Sequence, residues 1–252
     1  MKRNLIALSA LAALTALPAT SYADLAFNAG VVSDYRYRGI SQTRLKPAVQ
    51  AGVDFSQGGL YLGAWASSIK WVKDAYGDSQ VEIDLYGGYK GDLIKDSLSY
   101  DVGLLQYVYP GAGTARWSAA YKNPNTLEVY GALTFGPATA KLSYGLSNLF
   151  GNHDFGTGKG SKGSYYLDLS AAFDVGGVTV APHLGYQKVV HIANASYIDY
   201  ALTVSKDFSG IVPSIAIVGS DANKSFYVPG GAANSNKFLG KSGVVLGVKY
   251  NF

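Results

Sequence analysis

The sequence predicts an all-β, transmembrane up-and-down antiparallel β-barrel of about 12 strands, and three observations support this fold class. Apolar and polar residues alternate over segments of about ten residues, which is the pattern of a strand with one apolar face. Short turns alternate with longer connections, and strands of this length suit a tilted bilayer crossing. The composition agrees, because 31 Gly, 20 Tyr and only 15% charged residues are unlike an ordinary soluble domain.

The first 23 residues have the pattern of a secretory signal peptide and are left out of the predicted fold. Lys2 and Arg3 give a basic start, an uncharged apolar run follows at 5–17, and small residues end at Ala23. The run is shorter than the roughly 20 residues that a membrane-spanning helix needs, which disfavours the alternative of an uncleaved anchor. We predict residues 1–23 as the signal peptide and 24–252 as the barrel.

Each predicted strand keeps its apolar residues in one phase. In the second strand, for example, Val49, Ala51, Val53 and Phe55 alternate with polar residues or glycine. A period of two places these side chains on one face of the sheet. The pattern predicts strands at 25–35, 47–56, 60–71, 79–90, 97–109, 126–135, 138–146, 163–173, 178–187, 197–208, 211–220 and 242–252.

The lengths of the connections predict the orientation of the barrel. Tight turns at 57–59, 136–137, 174–177 and 209–210, with a longer one at 91–96, are expected in the periplasm. An even strand number then places both chain ends on that side. The predicted outer loops are 36–46, 72–78, 110–125, 147–162, 188–196 and 221–241.

Aromatic residues are expected to act in two places. Tyr and Trp residues near the strand ends predict belts at the two membrane interfaces. Tyr250 and Phe252 end the last strand on its apolar face, and this end resembles the signal by which bacterial barrels are recognised for assembly. A merely amphipathic last strand is compatible with the same residues. The predicted belt residues are Tyr35, Tyr37, Tyr61, Trp71, Tyr107, Tyr109, Tyr186 and Tyr197.

The polar phase of the strands predicts which residues face the lumen. A charge that faces lipid at mid-membrane costs about 2–4 kcal/mol, so the strand charges are expected to point inward. They could line a hydrated pore of mixed charge, or pair with one another and plug a narrow barrel. The pore-lining candidates are Asp34, Arg36, Arg38, Asp54, Lys70, Glu82, Asp84, Lys90, Asp101, Glu128, Lys141, Asp168, His183, Asp199 and Lys249.

Arg36 and Arg38 point to the same face of the first predicted strand, beside Asp34. They could form a cationic constriction opposite Glu82 and Asp84, as charged rings do in channels. They could equally pair with these three acids and pin a loop. The candidates hold only two more acids than bases, so strong ion selectivity is not expected. If the two charged patches face each other across the mouth, we expect weak cation preference and passage of small polar or zwitterionic solutes.

One long motif and several short ones resemble a known family. Residues 33–43, SDYRYRGISQT, followed by PAVQ at 47–50, resemble the opening of the TorF porin family, which are bacterial outer-membrane proteins of the Gcw_chp type. The resemblance implies an outer-membrane channel and carries over no substrate or catalytic residue. Further similarity lies at 63–67, 82–89, 107–111 and 128–130.

The predicted function is an outer-membrane porin-like channel for passive diffusion of small hydrophilic solutes, with no cofactor and no catalysis. One alternative is a non-conducting barrel that binds a partner or ligand through its outer loops. Another is an outer-membrane lipid hydrolase, since Ser170, His183 and Asp168 share the lumen face of neighbouring strands. The expected partners are outer-membrane lipid, the barrel-assembly machinery and small polar solutes, and the oligomeric state is left open.

Other function classes have little support in the sequence. The net charge is +4, but Lys and Arg are dispersed, which argues against a nucleic-acid partner. No Cys is present and His153, His183 and His191 are not at metal-ligand spacing, so no metal site is expected. The string at 158–163 matches G-x-G-x-x-G without the strand and helix that a dinucleotide site needs, and it predicts a loop.

Overall fold

The computed structural model describes residues 23–75, 77–113, 122–229 and 236–252, which form one closed antiparallel barrel of twelve wall strands. The predicted fold class is therefore confirmed. Consecutive wall strands are neighbours, and the first pairs with the last to close the sheet. The strands are β1 (Asp24–Val32), β2 (Arg36–Tyr37), β3 (Ile40–Ser41), β4 (Ala48–Gln57), β5 (Leu60–Ser68), β6 (Val81–Ile94), β7 (Leu98–Val108), β8 (Thr126–Phe135), β9 (Ala138–Gly145), β10 (Tyr165–Ala171), β11 (Phe173–Val175), β12 (Val178–Lys188), β13 (Tyr197–Ser205), β14 (Ile211–Ser220) and β15 (Gly243–Asn251).

Two parts of the sheet structure differ from simple wall strands. The eighth wall strand is interrupted at Ala172, so that β10 and β11 are its two parts and both pair with β12. The short strands β2 and β3 pair only with each other, in a hairpin separate from the wall. This hairpin places polar side chains inside the barrel.

The turn between β6 and β7 is shorter than the sequence predicts. β6 continues to Ile94, so the predicted turn at 91–96 is wrong. Gly91 and Asp92 remain paired with Tyr100 and Ser99, and an irregularity in register follows before Ile94. The short connections therefore include this one, and the alternation of short and long connections is more regular than predicted.

β1 and β5 end before their predicted ends because the chain leaves the wall at both places. After β1, the Tyr35 N–H donates to Thr43 Oγ1 at 3.1 Å instead of to a neighbouring strand. After β5, the N–H of Lys70 donates to the carbonyl of Gln42 at 2.8 Å, and a one-turn helix follows at Trp71–Asp74. The two segments therefore meet at the end of the barrel that carries the long connections.

The outer face of the wall is apolar, as a transmembrane barrel requires. Every wall strand presents large apolar side chains outward, and these remain well exposed in the isolated chain. One example from each strand in chain order is Val31, Val49, Leu62, Leu85, Leu104, Leu133, Leu142, Leu169, Leu184, Leu202, Ile217 and Leu246. Buried residues lie on the opposite, inward phase.

The other elements are short. Besides the helix at Trp71–Asp74, a 3₁₀ turn forms at Leu149–Gly151 and a one-turn helix at Lys224–Tyr227. In the described part of the chain, no helix combines the length and the apolar character needed to cross a bilayer. The predicted signal peptide, except for Ala23, lies outside the described residues.

Candidate functional site

The two ends of the lumen differ in charge and in how completely side chains occupy them. We call the end with the long connections the long-loop end, and the other the short-turn end. Glu82, Asp84, Glu128 and Asp199 all lie within the first four residues of strands that begin at the long-loop end, and all four are buried. Lys249 lies near the short-turn end and is partly exposed. Four buried carboxylates are thus gathered at the long-loop end of the lumen.

The connection from β1 to β4, residues 33–47, folds into the long-loop end, and we call it the inward hairpin. Its strands are β2 and β3, and its tip is formed by Arg38 and Gly39, both in left-handed backbone conformation with φ of +46° and +77°. A Cβ at Gly39 would lie 2.5 Å from the Cβ of Asp199. Glycine therefore lets the tip approach the wall at β13 closely.

Arg38 reaches the part of the wall that faces β1 across the lumen. Its guanidinium donates to both carboxylate oxygens of Glu128, at 3.0 and 2.7 Å, and to Gln187 Oε1 at 2.7 Å. It also lies 4.7 Å from the ring centre of Tyr37 and 4.3 Å from that of Tyr166. The inward hairpin therefore spans the lumen and is fastened on the far side by a buried bidentate ion pair.

Burial and neighbouring charges set the protonation of the inward hairpin. Burial opposes the charged form of Arg38, but Glu128 outweighs this effect and holds the pKa of the guanidinium well above its usual value. Burial, followed by the charges of Glu82 and Asp84, raises the pKa of Tyr35 well above its usual value. At neutral pH both shifts favour the guanidinium cation of Arg38 and the protonated hydroxyl of Tyr35.

Arg36 is held near the base of the inward hairpin. Its Nε donates to Asp34 at 2.5 Å, and Nη1 donates to the backbone carbonyls of Gly39, Leu239 and Lys241 at 2.9, 3.3 and 2.9 Å. Of the two arrangements predicted for the paired arginines, structural pairing is the one observed. The predicted opposition to the two acids of β6 is not, because the partners are Asp34 and, for the other arginine, an acid on β8.

The two acids of β6 at the long-loop end have contrasting surroundings. Glu82 accepts hydrogen bonds from the hydroxyls of Tyr35 and Tyr109, at 2.5 and 2.7 Å. Asp84 is 0% exposed, and neither of its carboxylate oxygens has a hydrogen-bond partner among the described residues. Its neighbours across the sheet are Trp65 and Tyr107. Since an uncompensated buried carboxylate is costly, Asp84 is the exceptional acid of this lumen.

At the short-turn end, tyrosine hydroxyls bind carboxylates that remain partly exposed. Tyr86 donates to Asp54 and Tyr61 donates to Asp101, each at 2.5 Å. The amine of Lys90 lies 5.8 Å from the ring centre of Tyr61. This end is the more open one, because its ionisable side chains retain contact with solvent. The partly exposed side chains are Asp54, Lys90, Asp101, Lys141 and Lys249.

His183 lies between the two ends, within a group of acids. Its Nδ1 is 3.3 Å from Asp168, and its Nε2 is 3.0 Å from both Asp199 and the hydroxyl of Tyr166. Ser170 is directly across the sheet from His183, so the three residues of the hydrolase alternative do come together. However, a base must offer a free nitrogen to the nucleophile, and both nitrogens of His183 already face carboxylates.

Two predictions about individual positions are wrong. Lys70 does not line the lumen, because β5 ends at Ser68 and Lys70 is exposed next to the one-turn helix. Most of the predicted belt tyrosines are buried inside the barrel, and Tyr107 and Tyr197 share the strand phase of the inward acids Asp101 and Asp199. The buried ones are Tyr35, Tyr61, Tyr107, Tyr109 and Tyr197.

Inward tyrosines are the residues that the sequence reasoning missed. Tyr86, Tyr130 and Tyr166 each lie two residues from an inward acid, so their phase was a usable signal. The contacts that these tyrosines make could not be predicted from the sequence, because they depend on the register between neighbouring strands. Gly103, for example, lies across from Tyr130, and a Cβ there would come 2.5 Å from the tyrosine hydroxyl.

The two residues of the predicted assembly signal lie on the outer face at the seam between β1 and β15. Phe252 stacks on Phe27 with ring centres 5.8 Å apart, and on Tyr250 at 5.4 Å. Phe27 and Phe252 also exchange two backbone hydrogen bonds, at 2.9 and 3.0 Å. The last residue therefore completes the apolar seam, and recognition of this end by an assembly machinery stays a prediction.

Comparisons with known proteins agree with the barrel architecture. A family model described as "Bacterial protein of unknown function (Gcw_chp)" matches residues 16–252. The KdgM porin, solved in complex with disordered oligogalacturonate, superposes with a TM-score of 0.53 at 9% identity over 92% of this chain and 99% of that chain. The NanC porin superposes with a TM-score of 0.52 at 14% identity, over 90% and 99%. No curated protein matches the sequence. At these identities the structural likeness shows the fold alone.

Proposed function

Because the chain belongs to the Gcw_chp family of bacterial proteins and forms a twelve-stranded barrel, we propose that it is an outer-membrane porin-like channel. In this proposal small hydrophilic solutes diffuse passively through the lumen, and the protein is not an enzyme. The observation that carries the proposal is the contrast between an apolar outer face and an inner face of ionisable groups and tyrosine hydroxyls. An inner face of this kind suits a hydrated path.

Structural similarity to two porins supports the proposed channel, but only through its barrel architecture. The superposed KdgM and NanC chains are both described as porins. The partly exposed charges at the short-turn end give solutes a polar surface on that side. The engaged nitrogens of His183 disfavour the hydrolase alternative, since the base it needs is already paired.

The non-conducting alternative is favoured by one observation, the inward hairpin. Its buried ion pair between Arg38 and Glu128 spans the long-loop end. If the hairpin stays in place, the barrel would present its loops to a partner without passing solutes. The two candidates therefore differ in whether this hairpin blocks or only narrows the path.

Single-channel recording of the refolded chain in a planar bilayer tests the proposal. We expect discrete conductance steps, with a small cation preference in the reversal potential under a salt gradient. Neutralising Glu82 should shift the reversal potential towards anions. A folded, heat-modifiable protein that gives no steps would instead support the non-conducting barrel.

We also propose export, orientation and assembly for this barrel. Residues 1–23 would be cleaved as a signal peptide, and the long-loop end would face the cell exterior. Single cysteines introduced in this cysteine-free chain at 147–162 should be labelled on intact cells, and those at 174–177 should not. The opposite labelling pattern would reverse the orientation.

We propose that the barrel-assembly machinery recognises the final strand. Deleting Phe252, or replacing Phe252 and Tyr250 with charged residues, should leave the protein in the periplasm for degradation. Fractionation of cells followed by immunoblotting measures this. Unchanged levels in the outer membrane would show that the aromatic end only completes the seam.

A further inference from the structure

We propose that the long-loop end of the lumen is a binding site for guanidinium-bearing solutes, and that Arg38 of the inward hairpin occupies it as an internal competitor. This inference rests on the proposed channel function and names its substrate class. The site comprises Glu128, Gln187, Tyr166 and Asp84, which belong to the wall, whereas Arg38 belongs to the inserted segment.

The contacts of Arg38 define what the wall recognises. Glu128 accepts two parallel hydrogen bonds, the arrangement that matches the planar fork of a guanidinium better than the point charge of an amine. Gln187 Oε1 accepts a third, and the Tyr166 ring lies 4.3 Å from the guanidinium carbon. All three wall residues are buried. A carboxylate, an amide oxygen and an aromatic face therefore form a built site for one guanidinium.

Asp84 supplies the independent observation that points to an external cation. Most other inward acids on the wall accept a hydrogen bond from tyrosine, as Glu82 does from Tyr35 and Asp54 does from Tyr86. Asp84 is 0% exposed and, among the described residues, has no donor. It lies next to Tyr107, whose hydroxyl is 3.4 Å from Glu128. Hence the inward hairpin supplies partners to Glu82 and Glu128, whereas Asp84 has no donor among the described residues.

The charge of the wall favours the same class of solute. Without the inward hairpin, the long-loop half of the wall presents mainly carboxylates to the lumen, with His183 between Asp168 and Asp199. Of the inward lysines on the described wall strands, Lys141 lies across the sheet from Asp168, and Lys90 and Lys249 lie closer to the short turns. A cationic solute that displaces Arg38 would exchange one guanidinium for another at Glu128, and its second cationic group could reach Asp84. The carboxylates at this end are Glu82, Asp84, Glu128, Asp168 and Asp199.

Titration of the refolded full barrel with L-arginine tests the inference, with L-citrulline, whose ureido side chain is uncharged, as a probe of nearly the same shape. Trp65, across the sheet from Asp84, makes intrinsic tryptophan fluorescence a suitable readout. We expect saturable binding of L-arginine but not of L-citrulline. The variant Arg38→Ala should bind L-arginine at least about tenfold more tightly than the natural sequence, because the internal competitor is gone.

Variants of wall residues distinguish a specific binding site from general electrostatic attraction of cations. In the Arg38→Ala background, Asp84→Asn should weaken L-arginine binding by about tenfold or more, whereas Asp54→Asn, at the other end, should not. If Arg38→Ala does not fold, Arg38→Gln provides the same test with a neutral group that can still donate to Glu128. Equal responses to the two probes, or equal effects of the two Asp→Asn changes, would overturn the inference.

Conductance recorded on the same variants keeps this inference distinct from the proposed function. Specific L-arginine binding by a protein that does not conduct would contradict the proposed channel function and support the binding site. A protein that conducts but responds equally to L-arginine and L-citrulline would support the channel function and contradict the binding site.

Discussion

The long-loop end and the short-turn end of the same lumen compensate buried charge in different ways. At the long-loop end, Glu128 is paired with a cation from another segment, Arg38, and the pair is almost completely removed from water. At the short-turn end, Asp54 and Asp101 accept hydrogen bonds from wall tyrosines and keep contact with solvent. The first end therefore depends on an inserted hairpin, whereas the second depends on the wall alone. Loss of a partner should be far more damaging at the first.

The largest difference between the two ends is expected in solvent access. In separate single-cysteine variants, Asp54→Cys should react with a small water-soluble thiol reagent, whereas Asp84→Cys should stay unreacted, because Asp84 is 0% exposed. Mass spectrometry of the folded barrel in micelles measures the reaction, and urea-unfolded samples, where both should react, serve as the control. Similar rates in the folded barrel would show that the long-loop end is open.

The next largest effect is expected on stability when the buried ion pair is broken. Glu128→Ala leaves the guanidinium of Arg38 uncompensated and should lower the free energy of unfolding by about 3–5 kcal/mol. Asp54→Ala, at the solvated end, should cost about 1 kcal/mol. Urea titration in micelles, followed by tryptophan fluorescence, provides the measurement. The double change of Arg38→Met with Glu128→Leu should recover most of the loss, and failure to do so would contradict this account.

The space around the backbone at the two ends can be compared at two glycines with similar backbone conformations. Gly39 and Gly58 have φ of +77° and +60°, but a Cβ at Gly39 would meet Asp199, whereas one at Gly58 would meet nothing within 4 Å. Gly58→Ala should cost roughly 1–2 kcal/mol for the left-handed backbone alone. Gly39→Ala should cost about 2–4 kcal/mol, since crowding adds to that strain. Equal losses in urea titration would mean that the tip of the inward hairpin is not seated against β13.

The smallest difference concerns single hydroxyl groups. Tyr35→Phe removes a donor to the buried carboxylate of Glu82 and should cost about 1.5–3 kcal/mol. Tyr86→Phe removes the donor to Asp54, which water can replace because this acid is partly exposed, so we expect less than about 1 kcal/mol. The same urea titration measures both variants. A larger loss for the second variant would reverse the comparison.

The wall of the barrel was predictable because a period of two is a local property of the chain. In β4 and β15 the alternation alone identifies the strand and its apolar face. The inward hairpin was not predictable in this way. Asp34 and Tyr35 continue the alternation of β1, and a single polar residue at an apolar position, Ser33, is too weak a signal to mark the departure from the wall after Val32.

The site was only partly predictable for a related reason. Phase predicts that the acids of β6 and β8 share the inner face, where the structure has them buried, but phase does not predict which acid contacts Arg38. The sequence suggested Asp34, Glu82 or Asp84, and the structure shows Glu128. That choice depends on how far the hairpin reaches and on the stagger of the wall, which are properties of the closed barrel.

The seam between β1 and β15 has a consequence for how the protein folds. It joins segments at opposite ends of the chain; Ser33 and Leu246, for example, are hydrogen-bonded across 213 residues. A closing contact of such high sequence separation makes folding slow, and until it forms both outermost strands have unpaired backbone groups. A fragment that lacks β15 would keep an open edge along β1, and we expect it to associate with other copies of itself rather than remain monomeric.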